Sequence, residues 1–283
     1  MEIGIGLPNQ VRDVRPTVIP TWASQAEAAG FSSLGTVGRI AYPGVMDTVT
    51  LAVAAGVTST IGLISNVLLG TVWPPVLLAK ELAGIDGVSG GRLTLGIGIG
   101  GRPDDFVAEG AGPKGLGKRM DHDLEIYRDI WNGEPVGGGE NPGVPAGTRQ
   151  IPLLFGGFAP AAMARMARWG EGYVGGSMPP EMVAGAFDGA RAAWQEAGRE
   201  GSPRLVAIAY YSLGDPEKGR GNVQDYYSSM GEQAAFIAST VRTSADEVKE
   251  VAKAFEALGA DELIFNPATD DPDEIARLAD IIL

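Results

Sequence analysis

Ser89-Gly90-Gly91-Arg92-Leu93-Thr94-Leu95-Gly96-Ile97-Gly98-Ile99-Gly100-Gly101-Arg102 decides how the rest of the chain is read. The stretch runs from a helix end, through a tight turn, up a strand and into a loop. Gly90 and Gly91 suit a helix terminus that needs a left-handed residue. Leu93, Leu95, Ile97 and Ile99 alternate with small residues, which is the period of a strand. Thr94, Gly96, Gly98 and Gly100 share the other face. Glycine weakens a strand, so its repetition points to something large packed against that face. Two readings follow. The segment is a glycine-rich core strand in close contact with its neighbours, or it is a barrel strand whose inner face leaves room for a planar ligand at the mouth.

A rival motif overlaps it. Gly96-x-Gly98-x-x-Gly101 formally matches the dinucleotide-binding fingerprint, which needs a helix opening inside its last glycines and an acidic residue about twenty positions on. Here Arg102-Pro103-Asp104-Asp105 follows at once, and the next clear helix starts near Lys118. The strand is also the fourth along the chain, not the first, so nicotinamide binding is disfavoured.

The chain has 283 residues, 45% of them hydrophobic, and no apolar run long enough to cross a bilayer. A barrel domain takes about 250 residues, so residues 1–283 read as a single domain. The N-terminus enters the alternating strand Glu2-Ile3-Gly4-Ile5-Gly6-Leu7 directly, without the pattern of a signal peptide. There is no cysteine, which removes disulfides, thiolate catalysis and thiolate metal sites and is compatible with a cytoplasmic location. With one histidine and no carboxylates at ligand spacing, no metal site is expected. A formal charge of −13 argues against a nucleic-acid partner and fits a self-repelling acidic surface.

Along the chain, strands alternate with helices, which calls for a parallel sheet with helical crossovers. The strands are expected at Glu2–Pro8, Phe31–Val37, Thr60–Leu68, Arg92–Gly98, Ile151–Phe155, Gly172–Gly175, Arg204–Ser212 and Glu262–Phe265. Eight such units favour an α/β fold of the closed (β/α)8 TIM-barrel type over an open doubly wound sheet. Ile19, Trp22, Ala23 and Ala26 stripe the first helix, closed by Gly30. Pro160 opens another, and Ser244-x-x-Glu247 is a capping box. Gly133 to Gln150 is an excursion from a helix to a strand, hence on the stability face of a barrel. Leu213 to Ser239 is an insert after strand seven, on the active face, and reads as a lid or as an extra helical layer.

In such a barrel the chemistry sits at the carboxyl ends of the strands. Those ends place Asn9, Arg39, Ser65, Asn66, Gly98, Gly100, Arg102, Tyr210 or Tyr211, and Asn266 around one mouth. Two ends read as anion cradles: Gly156-Gly157-Phe158 before the helix opened by Pro160, and Gly175-Gly176-Ser177 before Pro179-Pro180. Free backbone amides and a helix dipole suit a phosphate there, although glycines at strand–helix turns are ordinary. Arg39 stays charged at neutral pH, so it anchors a substrate anion or a developing oxyanion, or forms a salt bridge across the mouth. Tyr42, Trp73, Arg102 and Tyr210 complete the expected substrate pocket. The one histidine, His122, lies on the helix after strand four between Asp121 and Asp123 and reads as a surface residue.

The chain resembles the bacterial luciferase-like flavin oxidoreductases. Val88-Ser89-Gly90-Gly91-Arg92, the strand Leu93 to Gly101, and Arg102-Pro103-Asp104-Asp105-Phe106 carry the resemblance. Gly30-Phe31-Ser32-Ser33-Leu34, Pro74-Pro75-x-x-Leu78-Ala79-Lys80, the helix from Lys118-Arg119 to Trp131, and Pro152-Leu153-Leu154-Phe155-Gly156-Gly157 follow in order. The resemblance covers nearly the whole chain and implies a flavin whose phosphate lies at the Gly156–Phe158 corner. It also implies an isoalloxazine ring in the space left by Gly98 and Gly100. Related enzymes often have a non-proline cis peptide against the ring, which would fall at Ser65-Asn66 or one residue to either side. Asn66 would then hydrogen-bond the polar edge of the ring or satisfy neighbouring backbone.

Where many relatives carry an Asp-His pair after strand two, this chain has Gly38-Arg39. By resemblance the cofactor is FMN, in a monooxygenase acting on a small organic substrate with dioxygen, or coenzyme F420, in a hydride-transfer oxidoreductase. A separate flavin or F420 reductase and a homodimer are implied as partners. A non-catalytic flavin-binding protein is the reading from another class. A lysine-dependent aldolase is disfavoured, because no lysine falls on a strand end.

Overall fold

The computed structural model describes residues 1–110, 112 and 114–283. Its strands are β1 (Glu2–Gly6), β2 (Ser33–Thr36), β3 (Gly62–Ser65), β4 (Leu68–Leu69), β5 (Leu93–Gly98), β6 (Leu153–Gly156), β7 (Gly172–Val174), β8 (Arg204–Tyr211) and β9 (Glu262–Pro267). Helices α1 (Val18–Ala29), α2 (Asp47–Val57) and α3 (Pro75–Ser89) fill the first crossovers. After β5 come α4 (Pro103–Ala108) and α5 (Leu116–Trp131), then α6 (Pro160–Trp169) after β6 and α7 (Pro180–Glu196) after β7. The insert after β8 holds α8 (Pro216–Tyr226) and α9 (Glu232–Ser239), ahead of α10 (Ala245–Ala257). Helix α11 (Asp273–Ile282) follows β9. Among the described residues no helix is long and apolar enough to cross a membrane.

Every strand pairing is parallel, and the order β3-β2-β1-β9-β8-β7-β6-β5-β4 closes through β3–β5. The result is the expected (β/α)8 barrel, with one correction. The third stave, expected as continuous from Thr60 to Leu68, is broken into β3 and β4 at a cis peptide between Asn66 and Val67. Leu63 lies opposite Leu93 and Ile64 opposite Thr94, but Leu68 lies opposite Ile97 and Leu69 opposite Gly98. The stave therefore carries one residue more than β5 across the break, as a bulge does.

The glycines of and just beyond β5 allow close contact with their neighbours. A side chain at Gly96 would overlap the Ser65 carbonyl oxygen, so this glycine lets two staves approach. Gly98 and, just beyond β5, Gly100 border the mouth cavity, but a Cβ at Gly98 would lie 2.9 Å from Val67 and one at Gly100 3.0 Å from the Phe106 ring, so they too are places of close packing. On the outer face Leu93, Leu95 and Ile97 belong to one continuous apolar layer between the staves and the helices, which also holds Trp22, Leu82 and Leu124. Inside the barrel Ile64, Leu154, Val174, Val206, Ile208 and Ile264 form a plug. At the amino end of the staves the buried Glu262 pairs with Arg204 at 2.6 Å and accepts the hydroxyls of Ser32 and Ser33 at 2.7 and 2.5 Å.

The helix boundaries follow local rules. Gly90 ends α3 in the left-handed region, with φ of 72°, where a residue with a Cβ is strained. The Ser244 hydroxyl accepts the Glu247 amide at 3.3 Å, as a capping box requires. The Glu247 carboxylate, however, returns to the Thr243 amide and hydroxyl rather than to Ser244. The excursion before β6 is tied down by Arg149, whose two nitrogens reach Asp86 at 2.9 and 2.8 Å. The insert is an extra helical layer with its own small core of Tyr210, Val223, Tyr226, Tyr227, Ala234 and Ile237.

Glu27 fastens α1 to the turn before β3. One carboxylate oxygen accepts the amides of Ser59, Thr60 and Ile61 and the Thr60 hydroxyl. Burial alone would raise its pKa, but these donors favour the charged form and draw it down to about 2. A depressed carboxyl stabilises the fold fully above its unfolded pKa of about 4.3, and that contribution is lost as pH falls through the folded value. Glu27→Gln is expected to lower unfolding stability at pH 7 by about 1 kcal/mol, after allowance for partial exposure. The gap to the parent protein should close between about pH 4 and pH 2 in urea titrations run across that range.

Candidate functional site

A cavity of about 500 Å³ opens at the carboxyl ends of the staves. That size lies within the range of about 300–1,000 Å³ typical of small-molecule sites. Its floor is the top of the interior plug, where Val67, Val174 and Ile208 meet Gly98 and Gly156. The extra residue in the third stave turns Asn66 and Val67 toward this space. Asn66 is buried, and neither its side-chain nitrogen nor its oxygen has a hydrogen-bond partner. A buried amide left wholly unpaired is costly, so a ligand offering both a donor and an acceptor would be favoured beside it, although its nitrogen here lies against Gly35 of β2.

The next wall is built by β6 and β7. Gly156, Gly157, Phe158 and Ala159 lead into α6, and Ala161 and Ala162 of its first turn also border the cavity. Pro160 occupies a position that needs no amide, and no side chain caps the helix. Gly157 holds a φ of 118°, open to glycine alone without strain. Gly175, Gly176 and Ser177 line the adjoining corner. Arg165 of α6 faces the same space, with its charge balanced by Asp121 at 2.7 Å. These groups suit an anion held by backbone amides and a helix dipole.

The remaining wall is aromatic and cationic. Arg102, from the loop after β5, lies 4.8 Å from the ring centre of Tyr226 and 4.9 Å from that of Tyr227. Tyr226 meets Tyr227 edge to face at 4.9 Å and Tyr42 at 5.1 Å. Burial opposes the Arg102 charge, but the phenolic oxygens of Tyr226, Tyr227 and Tyr210 and the Asp105 carboxylate outweigh it and raise the pKa. Burial likewise pushes the Tyr226 hydroxyl above its ordinary value. Behind Gly38 stands the buried Asp47, whose carboxyl burial pushes up to about 7 against the opposing Thr48 amide. Its Oδ2 lies about where a side chain at Gly38 would reach, 3.0 Å from the position of a Cβ.

Asn66, Gly98, Gly100, Arg102, Gly156, Gly157, Phe158, Gly175, Gly176 and Ser177 thus come together around one cavity. Ser65, Arg39, Tyr42, Trp73 and Tyr210 do not line it. Ser65 points its hydroxyl at the Gly96 carbonyl, 2.7 Å away. Arg39 is drawn off by Asp104 at 2.7 Å and Asp105 at 3.1 Å and also donates to the Tyr226 carbonyl. Its structural alternative, a salt bridge across the mouth, is what the geometry contains. Tyr42 donates to Asp225 at 2.7 Å, and Trp73 packs beside Leu69, Val72 and Phe106. Alternation along β8 sends Tyr210 under the insert, 3.3 Å from the Tyr227 hydroxyl, and Tyr211 into the outer core against Phe265.

Tyr226 and Tyr227 were visible in the sequence only as aromatics of the insert. Arg165 and Asp47 carried no signal, because one lies beside inward methionines on a helix and the other in an unremarked helix start. His122 is exposed on α5, away from the cavity.

A family model described as luciferase-like monooxygenase matches residues 1–277. Uncharacterized proteins of Mycobacterium tuberculosis and Mycobacterium bovis are 32% identical over 189 residues, which cover 56% of this chain and 66% of theirs. The match therefore spans slightly less than two thirds of those relatives. Among solved structures, an F420-dependent secondary alcohol dehydrogenase holding an F420-acetone adduct is similar with a TM-score of 0.80 at 18% identity, covering 99% of this chain and 98% of that one. A monooxygenase from Streptomyces bottropensis gives 0.77 at 23%, covering 99% and 97%. The oxygenating component of a Baeyer-Villiger monooxygenase from Pseudomonas putida, in complex with FMN, gives 0.75 at 19%, covering 99% and 95%. At these identities the likeness establishes the fold.

Arg39 is 7% exposed and Asp105 1% exposed, so their ion pair is a buried one. Removing one partner of such a pair costs about 3 kcal/mol or more, because the other charge is left without compensation. Arg39→Ala is expected to lose that much stability in thermal or urea unfolding, and Arg39→Ala with Asp105→Asn to recover part of it. A stable Arg39→Ala single variant would show that the pair does not hold the mouth together.

Proposed function

The chain belongs to the luciferase-like monooxygenase family, and from that premise we propose a flavin-dependent oxidoreductase that uses reduced FMN and dioxygen to oxygenate a small organic substrate. The reading is carried by the unpaired amide of Asn66 at the edge of a glycine-bordered cavity. The residues present fit such a cofactor. Asn66 offers one donor and one acceptor, which suits the alternating polar edge of a flavin ring. The uncapped start of α6, with Gly157 and with Gly176 and Ser177 beside it, suits a phosphate.

A bound reduced flavin would supply two electrons to dioxygen, one oxygen atom entering the substrate and the other leaving as water. The chain's own part is to position and to exclude water. Val67, Val174 and Ile208 give the floor an apolar surface, and Tyr226 and Tyr227 wall the side toward the insert. A separate reductase is the proposed source of reduced flavin.

Coenzyme F420 is the competing cofactor, since an F420-dependent dehydrogenase shares the fold. Reduction of a carbonyl asks for a proton donor beside the reacting carbon. No histidine, aspartate, glutamate, lysine or cysteine is among the described residues that line the cavity. Its hydroxyls are those of Ser177, Tyr226 and Tyr227, and burial makes the Tyr226 hydroxyl a still weaker acid. That lining favours oxygenation with FMN.

Titration of the purified protein with FMN and, separately, with coenzyme F420, followed by absorbance, tests the reading. FMN is expected to bind with micromolar affinity, about −8 kcal/mol, and F420 far more weakly. Asn66→Ala should weaken FMN binding by about tenfold or more while moving the unfolding free energy by less than about 1 kcal/mol, because no hydrogen bond of that side chain is lost. Preference for F420 would overturn the FMN reading, and binding of neither would overturn the flavin reading.

A further inference from the structure

We infer that the substrate of this site carries an anionic group, a carboxylate or a phenolate, and that Arg102 binds it. The inference rests on the proposed flavin site for the reaction but on the surroundings of Arg102 for the anion.

Arg102 and Arg39 share a ladder of aromatic rings. Arg39 lies 5.3 Å from the centre of Tyr42 and 5.4 Å from that of Tyr226, and Arg102 occupies the next interval, between Tyr226 and Tyr227. Their charges are treated differently. The carboxylates at the start of α4 go to Arg39: Asp104 by an ion pair, Asp105 by an ion pair and by the amides of Ile40 and Ala41. Arg102 has no ion pair with any described carboxylate, and its Nε is buried without a partner. The Oδ2 of Asp105 lends it a favourable field but is itself without a hydrogen-bond partner. Arg165, the other arginine facing the cavity, is already balanced by Asp121.

Two arginines share two carboxylates at this wall, and Arg102 is the one that no carboxylate hydrogen-bonds: Asp105 balances its charge only through space, and the Arg102 Nε is left without a partner. The rings of Tyr226 and Tyr227, crossed at 78°, lie 4.8 and 4.9 Å from the guanidinium carbon and confine its plane. The N–H donors lie in that plane, at its edge, where a two-oxygen or phenolate acceptor meets them. The phosphate corner is built separately, on β6, β7 and the start of α6, whereas Arg102 is held by the insert after β8. The apolar walls ask for a carbon skeleton behind the charge. Together they describe a small aromatic or alicyclic acid, or a phenol ionised at the site.

Benzoate and benzamide, matched in shape and different in charge, are the probes. Each is titrated into FMN-free and FMN-loaded protein, followed by intrinsic fluorescence and by flavin absorbance. Benzoate is expected to bind about tenfold or more tighter than benzamide, a difference of about 1.4 kcal/mol. Arg102→Gln should remove that preference by weakening benzoate, leaving benzamide and FMN affinities within about twofold. Arg102→Lys, which keeps the charge but not the fork, should retain part of it.

Equal binding of benzoate and benzamide by the parent protein overturns the inference, whatever the variants do. So does a preference that survives in Arg102→Gln, or an FMN affinity that falls as far as that of benzoate. A benzoate preference that depends on Arg102 in protein unable to bind FMN supports the anion site and defeats the flavin reading. FMN binding without any benzoate preference does the reverse.

Discussion

The contact between Ser65 and Gly96 governs the geometry above it. The Ser65 carbonyl occupies the place a Gly96 side chain would need, and the Ser65 hydroxyl donates to the Gly96 carbonyl at 2.7 Å. Two staves are locked together at that level with no room for adjustment. The additional residue of the third stave must therefore be taken up immediately beyond, between Ser65 and Leu68. The chain there turns out of the regular ladder and presents Asn66 and Val67 to the mouth. The cavity floor, the unpaired amide and the seat of Val67 against Gly98 all follow from one close approach of backbone.

Above that floor, charge is distributed by a six-residue helix. With Asp104 and Asp105 in its first turn, α4 places two carboxylates beside the mouth. Both are taken by Arg39, and Asp105 also accepts two amides of the loop after β2. What looks in sequence like a mixed polar cluster is in space a partition: one arginine takes the hydrogen bonds of both carboxylates, and the other meets tyrosine rings and only the field of Asp105. Arginine keeps its charge under these conditions, so the charges balance across the cluster while the Arg102 Nε stays without a partner.

Much of the fold was legible because it rests on local rules. Alternation marked β5, glycines marked the ends of α1 and α3, and the serine cap of α10 lay where its spacing placed it. The place of the glycine corners at the cavity was legible for the same reason, being backbone at strand ends. The break in the third stave was hidden from composition, because a run such as Ile64-Ser65-Asn66-Val67-Leu68 reads as a continuous strand; only the resemblance placed a cis peptide within one residue of Ser65-Asn66, and it lies at Asn66-Val67. Arg39 was expected at the substrate and lies elsewhere, since its partners are 65 and 66 residues away in sequence. Tyr42 and Tyr210 turn aside for similar reasons, each satisfied by a group on the insert. Side-chain direction at the mouth is set by contacts between loops, which no window of sequence contains.

Arg39 also joins three loops that belong to different crossovers. From the loop after β2 it reaches the carboxylates of α4 beyond β5 and the Tyr226 carbonyl in the insert beyond β8. Residues sharing partners in this way do not contribute independently to stability. A replacement accepted in one of these loops would change what is tolerated in the other two. The mouth of this barrel is therefore expected to diversify by coordinated exchanges, with pairs of substitutions whose combined effect departs from the sum of the separate ones.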